Sequence, residues 1–176
     1  MDLHLEKLDI RHIDLGWYEW LQTIDPLSFT EVTARGVTRS DLESLILSPD
    51  SDLWFAVYVS DSSLATPQYI GNVHIGPIDW ISRVCEFGRF IGNKHFRGKG
   101  LGSRLTTLIL DYCFNVLNMN RVKAGCLAVN IAAHKTNIKA GMTHEATLRQ
   151  EKYQDGAYHD VFYFGILRSE FNQLTQ

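Results

Sequence analysis

The sequence lacks several features that mark particular classes of protein. Its longest apolar run, Leu53 to Val59, is far shorter than the roughly 20 residues that cross a bilayer. The first six residues, MDLHLE, have neither the basic region nor the apolar core of a signal peptide. Lys and Arg number 17 against 20 Asp and Glu, so the positive excess typical of nucleic-acid-binding proteins is missing. These absences favour a cytoplasmic protein that has neither a membrane nor a nucleic acid as its partner.

Residues that form disulfides or hold metals are also few. The three cysteines, Cys85, Cys113 and Cys126, are an odd number without the spacing of a metal site, and each lies among apolar residues. The histidines form no HxxxH or HxxE pair of the kind that binds zinc. We therefore expect three reduced cysteines in the core and no bound metal.

What is present indicates one globular domain spanning residues 1–176, since 45% of the residues are hydrophobic and 21% are charged. Apolar periodicity predicts helices, the second capped by Ser40, over 13–21, 42–47, 103–117 and 132–140. Alternating and β-branched segments predict strands over 3–8, 52–59, 69–75, 83–91, 122–129, 143–153 and 158–167. An Asp155-Gly156 turn joins the last two strands. This order predicts an α/β (α+β) fold, with a mixed sheet of about seven strands and helices on its faces.

The most informative segment is the loop between the predicted strand over 83–91 and the long helix that follows. It holds Gly98, Gly100 and Gly102, with Arg97 and Lys99 beside them. Free N–H groups and the helix dipole bind anions at a helix start, and glycine removes the Cβ that would keep a phosphate from the backbone. A tight turn alone accounts for one or two of these glycines, but not for the third or for the cations. The loop therefore predicts a pyrophosphate site.

The spacing of the loop excludes two common nucleotide motifs. The ATP-binding pattern GxxxxGK[ST] is absent, because Lys99 is followed by Gly100 and no glycine lies five residues before Gly98. The dinucleotide pattern GxGxxG is absent too, because the glycines run G-x-G-x-G and no carboxylate follows about 20 residues later.

The segment Arg97-x-x-Gly100-x-Gly102 resembles the R/Q-x-x-G-x-G/A motif of the GNAT superfamily of acetyl-CoA-dependent N-acetyltransferases. Residues 69–72 (YIGN) resemble its third strand and residues 86–92 (EFGRFIG) its fourth. Its N…KxGF pattern is matched by Asn130, Lys139, Gly141 and Met142. The tail resembles the ribosomal-protein N-terminal acetyltransferase (RimJ/RimL-type) branch at Glu145, Leu148, Arg149, Gly156, Tyr158 and Asp160. The likeness is good over about 69–167 and poor over the first 60 residues.

The resemblance implies acetyl-CoA as the co-substrate, held where the fourth and fifth strands splay apart. It implies that backbone groups of the fourth strand contact the pantetheine arm, and that an N–H near Ile91 polarises the thioester oxygen. It assigns the pyrophosphate to the glycine loop. The cofactor-binding residues implied in this way are Phe90, Ile91, Arg97, Gly98, Lys99, Gly100, Leu101, Gly102, Ser103, Asn130 and Asn137.

Acetyl transfer to an amine requires a base, since an alkylammonium is mostly protonated at neutral pH. Glu86 matches the acidic residue of the family's fourth strand and is the first candidate, and His74 on the neighbouring strand is the second. The general acid departs from the family pattern, because Asn137 stands where many relatives have Tyr, seven residues after Asn130. The alternatives for the departing thiolate are Tyr158, a water, or no proton donor at all.

The sequence leaves the acceptor open between a protein N-terminus, as the branch suggests, and a small amine such as an amino sugar or a polyamine. Trp17 and Trp20 fall where relatives shape the acceptor entrance, and the resemblance allows a homodimer. The acidic residues available to a polyamine are Glu31, Asp41, Glu43 and Glu86. The alternative from another class is a non-catalytic acyl-CoA-binding module with the same fold.

Overall fold

The computed structural model describes residues 1–23, 36–48 and 52–174. Its strands are β1 Asp2–Lys7, β2 Leu53–Ser60, β3 Gln68–Asp79, β4 Val84–Ile91, β5 Arg121–Leu127, β6 Thr143–Gln154 and β7 Ala157–Leu167. Its α-helices are α1 Tyr18–Thr23, α2 Arg39–Leu47, α3 Leu101–Asp111, α4 Ile131–Lys139 and α5 Arg168–Leu174.

The seven strands form one sheet in the order β1-β2-β3-β4-β5-β7-β6. Neighbouring strands are antiparallel except β4 and β5, which run parallel. The mixed sheet and the order of the elements confirm the fold class predicted from the sequence. Because β4 and β5 are the only parallel neighbours among the described strands, the site where they meet differs from the rest of the sheet.

Helices cover both faces of the sheet, over two separate apolar clusters. The larger cluster lies on the side of α3 and α5 and includes Leu105 and Phe171. The smaller one lies on the side of the N-terminal helices and includes Trp17, Leu42 and Phe90. We call the side of the smaller cluster the front face and the side of the larger cluster the back face. Successive residues of a strand point to opposite faces, so each strand contributes to both clusters.

The three cysteines are free thiols buried in the larger cluster, as expected from their apolar neighbours. Burial raises the pKa of the Cys126 thiol to about 11, so this group is neutral at neutral pH. The cysteines therefore behave as apolar core residues.

The N-terminus of α2 differs from the predicted one, because Thr38 rather than Ser40 caps the helix. The Thr38 hydroxyl accepts a hydrogen bond from the Asp41 N–H at 3.2 Å, and the Asp41 carboxylate accepts one from the Thr38 N–H at 2.8 Å. This reciprocal pair requires a spacing of three residues, which Ser40 and Asp41 do not have. The hydrogen bonds from Thr38 also lower the pKa of Asp41.

Other helices differ from prediction in their regularity. The segment before α1 is a π-helical turn, Ile13–Trp17, interrupted at Gly16, whose φ is +133°. A second π-helical turn, Tyr112–Val116, follows α3 in what was predicted as one continuous helix. The apolar period did not reveal α5, which begins directly after β7.

The turn between β6 and β7 confirms the prediction of a tight hairpin. Asp155 and Gly156 both have positive φ, +51° and +78°. Two consecutive residues of this kind form the two-residue turn that Asp-Gly sequences favour.

Candidate active site

The two parallel strands separate at one end of the sheet. β4 and β5 pair over three residues only, and the last pair is Glu86 with Lys123. Beyond that pair a cleft of about 420 Å³ opens. It is lined by residues 87–91 of β4, by Gly125 of β5, by the loop and first turn of α3, and by one side of α4 from Ala132 to Asn137. The splay implied by the resemblance is therefore present in the fold.

The glycines of the loop leave space that no other part of the chain fills. Gly98 and Gly100 have φ values of +73° and +76°, and a Cβ at either position would meet nothing within 4 Å. Backbone conformation therefore requires glycine at both. Gly102 has no positive φ, and a Cβ there would only touch Thr136 at an ordinary 3.7 Å. No described residue would clash with a side chain at Gly102, and the position borders the cleft.

The start of α3 provides hydrogen-bond donors at the same place. The helix begins at Leu101, and its N-cap, Gly100, has no side chain to satisfy the first turn. The first N–H groups of a helix have no partner within it, so those of Leu101, Gly102 and Ser103 are free of helical bonds. The Leu101 side chain is buried in the larger cluster, and only its backbone can serve the site. These donors and the helix dipole fit a pyrophosphate.

The two cations of the loop have different roles. The Arg97 guanidinium donates to the carbonyls of Ile91 at 2.8 Å and Gly92 at 3.1 Å, so it ties the loop to the end of β4. The Lys99 ammonium lies 5.5 Å from the centre of the Phe96 ring and is exposed. Arg97 thus fixes the loop, whereas the charge of Lys99 is exposed at the rim of the cleft.

The register of β4 determines which backbone groups face the cleft. The Gly92 N–H donates to the Ile70 carbonyl at 2.9 Å, and Ile91 stands opposite Gly71. Donors alternate in direction along an antiparallel strand, so the N–H of Ile91 points away from β3 and into the cleft. Phe90 has its backbone towards β3 and its side chain in the smaller cluster. Of the two predicted pantetheine contacts, the register favours Ile91.

Both predicted asparagines line the cleft, and both also hold the chain together. The Asn130 side-chain oxygen accepts from the Ala133 N–H at 3.0 Å and caps α4. The Asn137 side chain is buried, and its oxygen accepts from the Arg89 guanidinium at 2.9 Å. Asn137, which stands where the family pattern has a tyrosine, therefore binds the guanidinium of Arg89.

The front face carries Glu86 beside an opening in the sheet. Its carboxylate lies 3.8 Å from the Lys123 ammonium, and both side chains are about one third exposed. Gly88 on β4 and Gly125 on β5 each lie two residues beyond this last pair. They would therefore stand opposite each other if the same register continued. A Cβ at Gly88 would meet nothing within 4 Å, and one at Gly125 would lie 3.6 Å from Glu86. These two glycines form a window between the front face and the cleft.

His74, the second candidate base, is on the same face. It stands opposite Gly88 on β4 and Trp54 on β2, and residues opposite each other share a face. Its Nε2 lies 2.8 Å from the Asp52 carboxylate, and the Trp54 ring stacks on it at 4.3 Å. His74, Asp52 and Trp54 line a second cavity of about 800 Å³. His74 is therefore held tightly near the window, with one ring nitrogen already paired.

Tyr158, the candidate proton donor, lies away from these groups. It is exposed at the start of β7 and packs against Tyr153 at 5.0 Å in the hairpin. It does not line the cleft. The aromatic residue near the window is Tyr163, whose ring would lie 3.6 Å from a Cβ at Gly125.

The other predicted acceptor residues are mostly engaged elsewhere. Trp17 is buried in the smaller cluster, and Trp20 packs where a Cβ at Gly92 would lie, so both serve first as packing residues. Asp41 caps α2, and Glu43 pairs with Arg39 at 2.9 Å on its exposed side. Glu31 lies outside the described residues.

Sequence reasoning missed several residues of the site. Arg89, Lys123, Tyr163 and Asp52 come from four different strands or strand ends, and only pairing brings them near the window. The one signal available was Arg89, a charged residue between Gly88 and Phe90 in a predicted strand. Such a residue in a buried strand indicates either an ion pair or a ligand.

Comparison with known proteins agrees with this geometry. Residues 2–143 match the family model of the acetyltransferase (GNAT) domain. The chain is 31% identical over 102 residues to the putative ribosomal N-acetyltransferase YdaF of Bacillus subtilis, covering 57% of this chain and 55% of that protein. It is 32% identical over 107 residues to the spermidine N(1)-acetyltransferase of Vibrio cholerae, covering 61% of each. Both matches span less than two thirds of the relative's length.

A solved structure extends the likeness to the whole chain. A chimera of the Vibrio cholerae spermidine N-acetyltransferase and hSSAT superimposes with a TM-score of 0.81 at 26% identity, covering 98% of this chain and 99% of that one. The chain belongs to the GNAT acetyltransferase domain family. Membership agrees with the expected enzyme class, an acetyl-CoA-dependent N-acetyltransferase.

Two further findings concern the described ranges 1–23, 36–48 and 52–174 only. No helix in them is both long enough and apolar enough to cross a membrane. They contain no group of three or more His, Cys, Asp or Glu side chains arranged to hold a metal ion.

Proposed function

We propose that this acetyltransferase acetylates a primary amine of a small molecule, that polyamines are the class to test first, and that Glu86 is the base. The observation that carries the proposal is the place of Glu86. It occupies the last β4–β5 pair, next to the window formed by Gly88 and Gly125. An amine on the front face can approach this carboxylate and the cleft together.

The residues of the cleft would bind and orient the coenzyme. Acetyl-CoA supplies an acetyl group activated as a thioester. The N–H groups at the start of α3 would hold the pyrophosphate, with Gly98 and Gly100 giving the loop its shape. The Ile91 N–H would donate to the thioester oxygen. Asn130 keeps α4 in place beside the cleft.

Glu86 would accept the proton that the amine loses. Its carboxylate is about 30% exposed, so it can reach the amine directly or through one water. The Lys123 ammonium lies 3.8 Å from this carboxylate. His74 would be a lesser contributor, because Asp52 already occupies its Nε2.

Two observations support a polyamine over a protein N-terminus. The spermidine acetyltransferase of Vibrio cholerae is matched in two ways, by sequence and, as a chimera with hSSAT, by structure over nearly the full chain. The front face also carries the carboxylates of Glu86 and Asp52 near the window, which favour a cationic acceptor. The likeness to YdaF keeps the protein N-terminus as the second candidate.

The test is thioester consumption with a diamine, a triamine, an amino sugar and a short peptide with a free N-terminus. We expect the highest kcat/KM with a polyamine. Glu86→Gln should lower kcat by about 10²- to 10⁴-fold without changing CoA affinity. The difference in kcat between the parent and Glu86→Gln should become smaller as the pH approaches the amine pKa of about 10, because the amine then loses its proton without a base.

The matched control is Glu43→Gln, which removes an exposed carboxylate on α2 that pairs with Arg39. It should leave kcat unchanged. A Glu86→Gln enzyme as active as the parent would exclude Glu86 as the base. Faster turnover of the peptide than of every small amine would exclude the proposed acceptor class.

A further inference from the structure

Arg89 places a positive charge in the coenzyme cleft. It follows Gly88 on β4 and is half-buried among the lining residues. Its guanidinium donates to the Asn137 oxygen at 2.9 Å and lies 5.5 Å from the centre of the Phe87 ring. Among the described residues it forms no ion pair with a carboxylate. Burial lowers its pKa to about 10, so it stays charged at neutral pH.

No described residue neutralises this charge. A charge that is partly removed from water without a counter-ion is costly, and Asn137 offers only a neutral oxygen. Arg89 interacts electrostatically with the Cys126 thiol on β5, which is neutral at neutral pH because burial raises its pKa to about 11. A ligand that carries or develops negative charge in the cleft would complete the site.

The position of Arg89 on β4 indicates which part of the coenzyme it contacts. The pyrophosphate site is the glycine loop at the far end of β4, with donors of its own. Arg89 is instead only three residues from Glu86, which closes the cleft at the last strand pair. This is the end at which an amine enters through the window. The group that develops negative charge there is the sulfur of the thioester.

Arg89 and Glu86 also lie on opposite sides of the sheet. Glu86 and Gly88 share the front face, whereas Arg89 points to the back face, where Asn137 on α4 holds it. An amine arriving from the front would therefore have its base on one side and the guanidinium on the other. That arrangement puts the base beside the entering nitrogen and the cation beside the departing sulfur.

We propose that Arg89 stabilises the thiolate of coenzyme A as it departs, and that Asn137 is the positioning residue that orients the guanidinium. The proposal rests on the acetyl transfer proposed above. The amine nitrogen forms a bond to the thioester carbonyl carbon, and the carbon–sulfur bond breaks. Its electron pair stays on sulfur, where the guanidinium hydrogen-bonds to it, and the amine proton goes to Glu86. The cation thus takes over the task of the tyrosine that many relatives carry at the position of Asn137.

The test uses the complex of the full chain with free coenzyme A and needs no turnover. The thiolate is titrated by its ultraviolet absorbance in the parent, Arg89→Met and Arg89→Lys. The baseline is the thiol pKa of free coenzyme A titrated in the same buffer, and a cation within hydrogen-bond reach lowers a pKa of this kind by about one to three pH units. We expect the bound thiol of the parent to show this depression, Arg89→Met to lose it, and Arg89→Lys to keep part of it.

Asn137→Ala keeps the Arg89 cation but removes the hydrogen bond that orients it. We therefore expect a thiol pKa between those of the parent and Arg89→Met. In steady-state assays Arg89→Met should lower kcat by on the order of 10²-fold with little change in the KM for the amine. Calorimetry with coenzyme A shows whether each variant still folds and binds.

Two results would overturn the proposal. One is an equal thiol pKa in the parent and in an Arg89→Met variant that binds coenzyme A. The other is an Arg89→Met variant that loses activity with succinyl-CoA but not with acetyl-CoA, because Arg89 would then bind a carboxylate on the acyl group. Failure to acetylate any amine would contradict the proposed function and leave the thiol titration intact, so the two failures are distinguishable.

Discussion

The coenzyme half and the acceptor half of the site are built in different ways. The proposed coenzyme half relies mostly on backbone: two glycines with left-handed φ, the start of α3 and the N–H of Ile91. The acceptor half consists of side chains from separate strands, among them Glu86, His74 and Tyr163. A site made of backbone depends on local conformation, whereas a site made of side chains depends on the register of the whole sheet.

The difference predicts how each half responds to mutation. In the coenzyme half, one Cβ can block the ligand or distort the loop, whatever the chemistry of the new side chain. In the acceptor half, each side chain contributes its own chemistry, and removing one changes rate more than coenzyme affinity.

The largest expected effect comes from adding a side chain to the loop. Gly100→Val introduces a β-branched residue at a φ of +76°, beside the N–H groups at the start of α3. We expect a loss of coenzyme A affinity on the order of 100-fold, or about 2.7 kcal/mol. Calorimetric titration with coenzyme A measures it.

Gly156→Val is the matched control for backbone strain. Gly156 has nearly the same φ, +78°, and equally open surroundings, but it lies in the β6–β7 hairpin. The two variants should lose similar amounts of unfolding free energy, and only Gly100→Val should lose coenzyme affinity. Equal affinity in both variants would contradict the pyrophosphate assignment.

The same difference explains what the sequence could predict. The glycine loop is contiguous, and three glycines at the start of a predicted helix are enough to predict an anion site over residues 97–103. The window between Gly88 and Gly125 joins residues 37 positions apart, and only the β4–β5 register brings them level. Periodicity gives strands but not their pairing.

Two residues show where residue type alone is not enough to predict a role. Ser40 and Thr38 are both N-cap types, and the spacing to Asp41 decides between them. Tyr158 matched the family tail, but its place at the hairpin keeps it out of the cleft lining, which no local pattern indicates.

A smaller effect should separate the two candidate bases. His74→Gln removes an imidazole whose Nε2 is paired with Asp52 at 2.8 Å and whose ring is stacked on Trp54. Because that nitrogen is engaged, we expect kcat to fall by less than about tenfold, against at least 10²-fold for Glu86→Gln. Initial rates at saturating acetyl-CoA give the ratio. If kcat fell further in His74→Gln than in Glu86→Gln, His74 would be the base and Glu86 the lesser contributor.

The smallest effect concerns α2, which packs Leu42 into the smaller cluster beneath the front face. Thr38→Ala removes both the hydroxyl that accepts from the Asp41 N–H and the reciprocal capping box. The expected loss is about 1 kcal/mol in unfolding free energy, measured by denaturant titration, with coenzyme A affinity unchanged. Ser40→Ala, two residues later on the exposed first turn, should be close to neutral. If Thr38→Ala also weakened coenzyme binding, the two halves of the site would be coupled through the sheet, and their separation into backbone and side-chain parts would not hold.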